Sequence, residues 1–258
     1  MGLLKDKARN YTQAFNGASQ LADEAIRARK AEKIRAVLEN EGVFPDKELK
    51  ILDIGCSYGL ILKQLAAHVD YGVGVDFDIA GMQRPDARVG FVCADAERLP
   101  FPPGSFDIII CNHVYEHTDD PACMLDEIER VLAPDGVCYF AGPNKYDLVE
   151  PHYGLPFLSW LPQSLADRYL QITGKGTHYV EKPYSYRDLA RLLARFEVED
   201  YTGKIVSDPV RFHATDVLRD RSLKQLVARA VLKFMPFLFP GFIWVLRKAV
   251  RDSREAAG

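Results

Sequence analysis

Three aspartates and four histidines carry the spacing in this sequence that could do chemistry. Asp53 sits in the apolar run Ile51-Leu-Asp-Ile54, which leads straight into Gly55 and Gly59, four residues apart. Glycines at those places let a backbone turn hug a small polar molecule. Asp76 follows Gly55 by 21 residues and closes the run Tyr71-Gly-Val-Gly-Val-Asp76, while Asp95 follows Phe91-Val-Cys-Ala94. A carboxylate at the tip of a second strand can accept two charge-assisted hydrogen bonds from vicinal hydroxyls, each worth roughly 1.5 to 3 kcal/mol. The set predicts a nucleoside-cofactor site. The histidines, His113, His117, His152 and His178, are candidate proton acceptors beside it.

The turn excludes one large class of nucleoside cofactors. A dinucleotide fingerprint needs glycines at 55, 57 and 60, and this chain has Gly55, Ser57 and Leu60. With no turn suited to a pyrophosphate, a cofactor without phosphates fits better. S-adenosylmethionine, a nucleoside joined through a sulfonium to an amino-acid tail, is one.

Strands and helices in alternation must position these residues. Apolar runs at 50–54, 71–76, 91–94, 106–111 and 137–141 alternate with helical patterns at 59–68 and 120–132. That rhythm predicts a mostly parallel, Rossmann-like α/β sheet covered by helices on both faces. In such a sheet ligands bind beyond the carboxyl ends of the strands, where the strand order reverses. Asp53, Gly55, Gly59, Asp76 and Asp95 all fall there. The second helix is well marked, with Asp119 or Asp120 as N-cap, Pro121 in its first turn and Ala133-Pro-Asp-Gly136 as its stop. An amphipathic pattern over 19–41 predicts a helix that caps the fold. Residues 142–186 break the rhythm with five prolines among aromatics and histidines, as a substrate-side insertion after strand 5 would. A helix at 186–195 and the alternating run Phe196–Tyr201 resume it.

Residues 51–144 closely resemble the class I S-adenosylmethionine-dependent methyltransferases. The stretch Ile51-Leu-Asp-Ile-Gly-Cys-Ser-Tyr-Gly59 looks like their first motif, Asp76 like their ribose-binding acid, and Cys93-Ala-Asp-Ala-Glu-Arg-Leu-Pro-Phe101 like their adenine loop. The likeness continues through Gly104–His117 and Glu127–Gly136. Ser57 departs from the family's usual middle glycine. The resemblance implies a seven-stranded sheet, S-adenosyl-L-methionine as cofactor and methyl transfer as the reaction. It also implies that the turn Gly55, Cys56, Ser57 to Gly59 lines the methionine portion, Asp76 holds the ribose and Asp95 with Ala96 meets the adenine, with Asp53 and Phe77 as further cofactor-binding residues. Asn112 and His113 would lie near the transferred methyl.

Methyl transfer from a sulfonium is an in-line displacement, and a hydroxyl acceptor must also lose a proton. His113 and His117 lie in the loop after the fourth strand. His152 and His178 lie in the insertion, where the resembling family builds its acceptor pocket; His152 is the preferred base. His113 and His117 share a helical spacing that could suit a metal ion, but the sequence offers no firm third ligand and no metal is expected. Tyr153 and Trp160 would suit a sugar face or an apolar ring. The expected acceptor is a hydroxyl on a small molecule, glycan or lipid-linked molecule, with a quinone or lipid headgroup as the alternative. A cofactor-binding but inactive partner subunit is the reading from another class.

Composition narrows the rest. The 258 residues are 48% hydrophobic and 27% charged, with a net charge of -3, which gives no reason to expect nucleic acid. One domain is expected, with 1–45 as N-terminal cap, 46–144 as cofactor-binding core, 145–186 as insertion and 187–258 as the C-terminal part of the sheet. Five cysteines without a C-x-x-C pair are expected to be reduced and buried. The N-terminal residues show no secretory or myristoylation pattern, so a cytoplasmic place is expected.

The C-terminal segment differs in charge: residues 204–258 hold 11 Lys/Arg against 5 Asp/Glu. A helix at about 220–235 is expected, and the resemblance implies a last strand at 241–247, antiparallel beside Phe196–Tyr201, with Phe234–Phe239 packed on the sheet. The alternative is peripheral membrane contact through 224–246, in which Phe234, Phe237, Phe239 and Trp244 meet lipid while Lys224, Arg229, Lys233 and Arg247 meet anionic headgroups.

Overall fold

The computed structural model describes residues 20–44, 48–77 and 87–249. Residues 1–19 of the expected cap lie outside them. The first described element is helix α1 (Gln20–Asn40), followed by β1 (Lys50–Ile54), α2 (Leu60–Leu65), β2 (Tyr71–Asp76), β3 (Val89–Cys93) and β4 (Phe106–Asn112). Then come α3 (Pro121–Val131), β5 (Leu132–Pro143) and an insertion holding the short strands β6 (Val149–Glu150) and β7 (Leu155–Pro156) with α4 (Gln163–Thr173). Helix α5 (Tyr186–Leu192), β8 (Phe196–Asp200), α6 (Thr202–Ser207), α7 (Leu223–Phe234) and β9 (Gly241–Lys248) complete it.

Seven strands form one sheet in the order β3-β2-β1-β4-β5-β9-β8. Pairing is parallel from β3 through β5, and β9 runs antiparallel to both β5 and β8. The order reverses at β1, whose neighbours are β2 and β4, so the crevice expected beyond the strand tips opens beside Asp53.

Strand alternation divides the core between two faces. Leu52, Ile54, Ile109, Cys111, Cys138 and Phe140 pack with Met124, Leu125 and Ile128 of α3 and with Leu189 of α5. Their neighbours Ile51, Ile108, Ile110, Val137 and Tyr139 pack with Ile34, Val37 and Leu38 of α1 and with Ile61, Leu62 and Leu65 of α2. Both faces are covered, which is why the central strands read as continuous apolar runs. The cap helix is tied to the far edge: Asn40 Nδ2 donates to Tyr201 Oη at 2.6 Å, and Glu41 Oε2 meets Arg247 Nη1 at 2.6 Å.

Local signals set the boundaries near the site. Asp120 Oδ1 accepts from the N–H groups of Ala122 and Cys123, a cap worth about 1 kcal/mol. Leu155, Leu158, Ala166, Leu170 and Tyr179 give the insertion a small core of its own, so it is an ordered platform. Three expectations are corrected. Trp244, which would meet lipid if 224–246 touched a membrane, is buried within β9. Cys93 and Cys123 are exposed, although Cys56, Cys111 and Cys138 are buried. Phe234 and Phe237 do not pack on the sheet; they are 71% and 43% exposed.

Candidate active site

The turn after β1 is built by its own backbone. Gly55 and Gly59 have φ of 68° and 70°, in the left-handed region, and Ser57 joins them at 50°. Val75 O accepts from the N–H groups of Gly55 and Cys56 at 2.8 and 3.1 Å, and Gly59 N–H closes the turn on Cys56 O at 2.8 Å. Asp76 Oδ2 accepts from Ser57 N–H at 2.7 Å, so the tip of β2 fastens the turn that follows β1. A Cβ on Gly55 would stand 2.7 Å from Val114 Cγ2, so glycine here also admits the loop after β4.

Asp53 is 2% exposed, and its Oδ2 accepts no hydrogen bond among the described residues. Burial pushes its carboxyl up to about 7, Arg27 opposes the shift, and the charge of Asp76 adds to it. An orphaned carboxylate at a strand tip is a place for a cationic ligand group. Asp95 forms its own turn, with Oδ1 accepting from Glu97 N–H at 3.0 Å, and Ala96 beside it is buried. Beyond it, Arg130 donates to Leu99 O and Phe101 O while Glu127 Oε2 accepts from Leu99 N–H. The sequence marks Glu127 and Arg130 only as part of a motif; in the fold they hold the loop that follows Asp95.

Asn112 ends β4, and His113, with φ of 59°, donates its N–H to Ala141 O at 2.8 Å. The left-handed turn at His113 sends the chain into Val114, Tyr115, Glu116 and His117. Here the structure assembles a cluster whose acids the sequence analysis does not name. Glu116, Glu150 and Glu181 are all buried, and each lies against an imidazole. His117 Nδ1 is 2.6 Å from Glu181 Oε2, His152 Nδ1 is 2.8 Å from Glu150 Oε1, and His113 Nδ1 is 3.3 Å from Glu116 Oε1. The rings of His117 and His152 meet edge to face, 5.3 Å between centres. A buried carboxylate is costly without such partners.

Three of the four candidate histidines are thus gathered, from two chain segments far apart in sequence. His178 is not; it is 61% exposed and pairs with Asp167 Oδ2 at 2.9 Å on the insertion. Its neighbour Tyr179 is buried, and burial, with the charges of Glu150 and Glu181, pushes its hydroxyl upward. Burial lowers the tendency of His152 to protonate, but its hydrogen bond to Glu150 and the charges of Glu181, Glu150 and Glu116 outweigh it, so His152 titrates above the usual histidine value. For Glu116 burial opposes ionisation, and His113 and His117 overcome it, keeping the carboxyl below its usual range.

Glu116, His117 and His152 also place one ligand atom each within 4.8 Å of one another. The set leaves out His113: His117 meets Glu116 and His152 of the insertion, and the His113/His117 pair expected from spacing is not the one that converges. The arrangement can do two things chemically: relay a proton through a carboxylate-histidine pair, or hold a divalent cation.

A doubly covered, mostly parallel sheet with a glycine turn, two strand-tip acids and a base cluster beyond the fourth and fifth strands defines a nucleoside-cofactor enzyme of the α/β class. Residues 52–140 match the family described as "Methyltransferase domain". Residues 52–140 therefore form a methyltransferase domain, of the kind that takes S-adenosylmethionine as cofactor. A ubiquinone biosynthesis O-methyltransferase of Coxiella burnetii is 31% identical over 102 residues, 37% of this chain and 44% of that protein. One from Neisseria meningitidis serogroup C is 28% identical over 167 residues, 60% of this chain and 66% of that protein. These matches span about half to two-thirds of the relatives' length. Among solved structures, the plantazolicin methyltransferase BpumL, in complex with a monoazolic desmethylPZN analog and SAH, superposes with a TM-score of 0.57 at 16% identity, covering 95% of this chain and 90% of that one. An S-adenosylmethionine-dependent methyltransferase from Mesorhizobium loti gives 0.53 at 18% identity, over 84% and 98%. Those two likenesses speak to the fold.

The donor set fits the cofactor. It brings an ammonium, two vicinal hydroxyls and an adenine, and the strand tips offer Asp53, Asp76 and the Asp95-Ala96 turn.

Proposed function

We propose that this chain methylates an oxygen of a small-molecule, glycan or lipid-linked acceptor, and that His152, oriented by Glu150, takes the acceptor's proton. The reading rests on one observation above all: a histidine whose Nδ1 is bonded to a buried carboxylate, on an ordered insertion beyond β5. When bound, the cofactor supplies an electrophilic methyl carbon on a sulfonium sulfur.

The chain's own part is binding, alignment and proton transfer. Asp53 would hold the ammonium, Asp76 the ribose hydroxyls and the turn at Asp95 the adenine, with Gly55, Cys56, Ser57 and Gly59 along the methionine portion. Glu150 is acceptor-only when ionised, so His152 keeps its proton on Nδ1 and offers Nε2 to a hydroxyl. The imidazolium that forms is stabilised by Glu150, which also accepts from the N–H groups of His152 and Tyr153 and so cannot swing away. His117, whose Nδ1 stands 2.6 Å from Glu181 Oε2 as an ion-pair contact, shapes the wall facing His152.

The relatives' names favour a second acceptor, an oxygen on a ubiquinone precursor. Incubating the protein with labelled S-adenosylmethionine and cell extract, then separating lipid from aqueous products, distinguishes the readings. Label in a lipid-linked or polar glycan product supports the first, and label in a quinone-like product supports the second. Cofactor binding with no transfer to any fraction would make the chain an inactive partner.

A further inference from the structure

Helix α7 presents its apolar side to the outside. Leu223, Leu226, Val227 and Phe234 are 76%, 64%, 54% and 71% exposed, whereas Gln225 on the opposite side is buried and donates to Val206 O at 2.9 Å. With 3.6 residues per turn, positions 223, 226, 227, 230 and 234 fall on one stripe about 100° wide. Met235 and Phe237, in the turn that follows, extend the same exposed apolar surface. A stripe of this kind ordinarily faces a core or a partner.

Charge identifies the partner. From Arg221 to Lys248 the sequence has six basic residues and no acidic one. On α7, Lys224 falls to one side of the stripe and Arg229 and Lys233 to the other, all exposed. A second copy docked by two-fold symmetry would bring these cations against their own equivalents, which is unfavourable. A bilayer with anionic lipid meets both features at once: acyl chains take Phe234, Phe237 and Leu226, and headgroup phosphates take the flanking cations. No helix among the described residues is long and apolar enough to cross a membrane, so the contact is with one leaflet surface.

We infer that α7 and the turn after it, Leu223 to Leu238, form a docking surface for an anionic lipid bilayer, tied rigidly to the acceptor side of the active site. The tie is Asn144, 1% exposed, whose Nδ2 donates to Phe237 O at 2.7 Å and Phe239 O at 2.9 Å and whose N–H donates to Pro240 O at 2.8 Å. Asn144 directly follows β5, the strand whose Ala141 O holds His113 N–H. The insertion that starts there adds Leu148, Val149 and Phe157 as further exposed apolar side chains. Bilayer docking thereby sets a lipid-embedded acceptor beside the base cluster; this last consequence rests on the methyltransferase reading, and the surface itself does not.

Co-sedimentation of the purified full chain tests the surface. Vesicles of phosphatidylcholine alone are compared with vesicles containing about one-third phosphatidylglycerol at low salt, with cofactor affinity measured by calorimetry on every variant. The expected result is at least about tenfold tighter binding to the anionic vesicles, reduced about tenfold or more in Phe234→Glu/Phe237→Glu with cofactor affinity unchanged. Lys224→Gln/Arg229→Gln/Lys233→Gln should bring anionic binding down to the neutral level. Wild type that binds neither vesicle overturns the proposal. So does a wild-type dimer that Phe234→Glu splits while vesicle binding is absent. Vesicle binding without methyl transfer would leave the surface standing and remove the enzymatic reading.

Discussion

Ser57 donates its backbone N–H to Asp76 Oδ2 at 2.7 Å, so the acid at the tip of β2 also fastens the glycine turn at the tip of β1. Asp76 therefore has two separable roles. An asparagine can still accept from Ser57 but brings no charge to the ribose, whereas alanine removes both. Asp76→Ala is expected to raise the cofactor dissociation constant tenfold or more and to lower the thermal midpoint, while Asp76→Asn weakens binding and keeps the midpoint. Calorimetry with thermal unfolding of both variants checks this; unchanged affinity in Asp76→Ala removes the ribose assignment.

His152→Ala is expected to cut turnover by about 10² or more with cofactor affinity unchanged. Because His152 titrates above the usual histidine value, wild-type turnover should rise with pH through an apparent pKa above the ordinary 6.5. Glu150→Gln should shift that limb toward lower pH. The linkage to stability has the opposite sense: a raised folded pKa favours the fold below about 6.5, and that contribution fades as pH rises through the folded value. A limb unmoved in Glu150→Gln would return the pair to a packing role.

Chelation separates proton relay from cation binding at Glu116, His117 and His152. With His152 as base, extensive chelator treatment should leave turnover unchanged, and added divalent cations should not raise the thermal midpoint. Activity lost on chelation and restored by one cation would reassign these three residues as ligands.

Asp53 gives a stability prediction of defined sign. Its folded carboxyl is raised to about 7, so its contribution favours folding below the ordinary carboxylate value near 3.8 and is lost as pH rises through about 7. Asp53→Asn should therefore stabilise the cofactor-free protein at pH 8 by roughly 1 kcal/mol or more, seen as a higher thermal midpoint, while weakening cofactor binding. A lower midpoint with unchanged binding would contradict both halves.

Gly55→Ala places a Cβ 2.7 Å from Val114 Cγ2 at a φ of 68°. A loss of about 1 to 3 kcal/mol is expected, only part of it relieved by Val114→Ala because the backbone strain remains. Full rescue by the double variant would show that the conformation itself is not strained.

The apolar runs, the N-cap at Asp120 and the glycine turn were legible in the chain because each is a local pattern. Alternation between buried faces, a side chain reaching its own next amides, and a left-handed turn need no distant partner. The antiparallel last strand at 241–247 beside Phe196–Tyr201 was implied by the family resemblance and not by composition, and β9 does pair antiparallel with β8. Phe234 and Phe237 went the other way. The resemblance implied that they pack on the sheet, with lipid contact as the alternative, but Gln225 turns the opposite side of α7 inward, and composition alone does not say which side a helix buries.

What the sequence by itself marked out is the proposed cofactor side of this protein. Asp53, Asp76 and Asp95 lie at or just past the ends of β1, β2 and β3, with Gly55 and Gly59 in the turn after β1, and a parallel sheet brings strand ends together by construction. Only the tertiary structure decided the acceptor half. His117 and His152 lie 35 positions apart, and the acids that orient them, Glu150 and Glu181, have no spacing that marks them. They meet because the insertion folds on its own small core and returns over the tips of β4 and β5, and burial then makes each carboxylate need its imidazole.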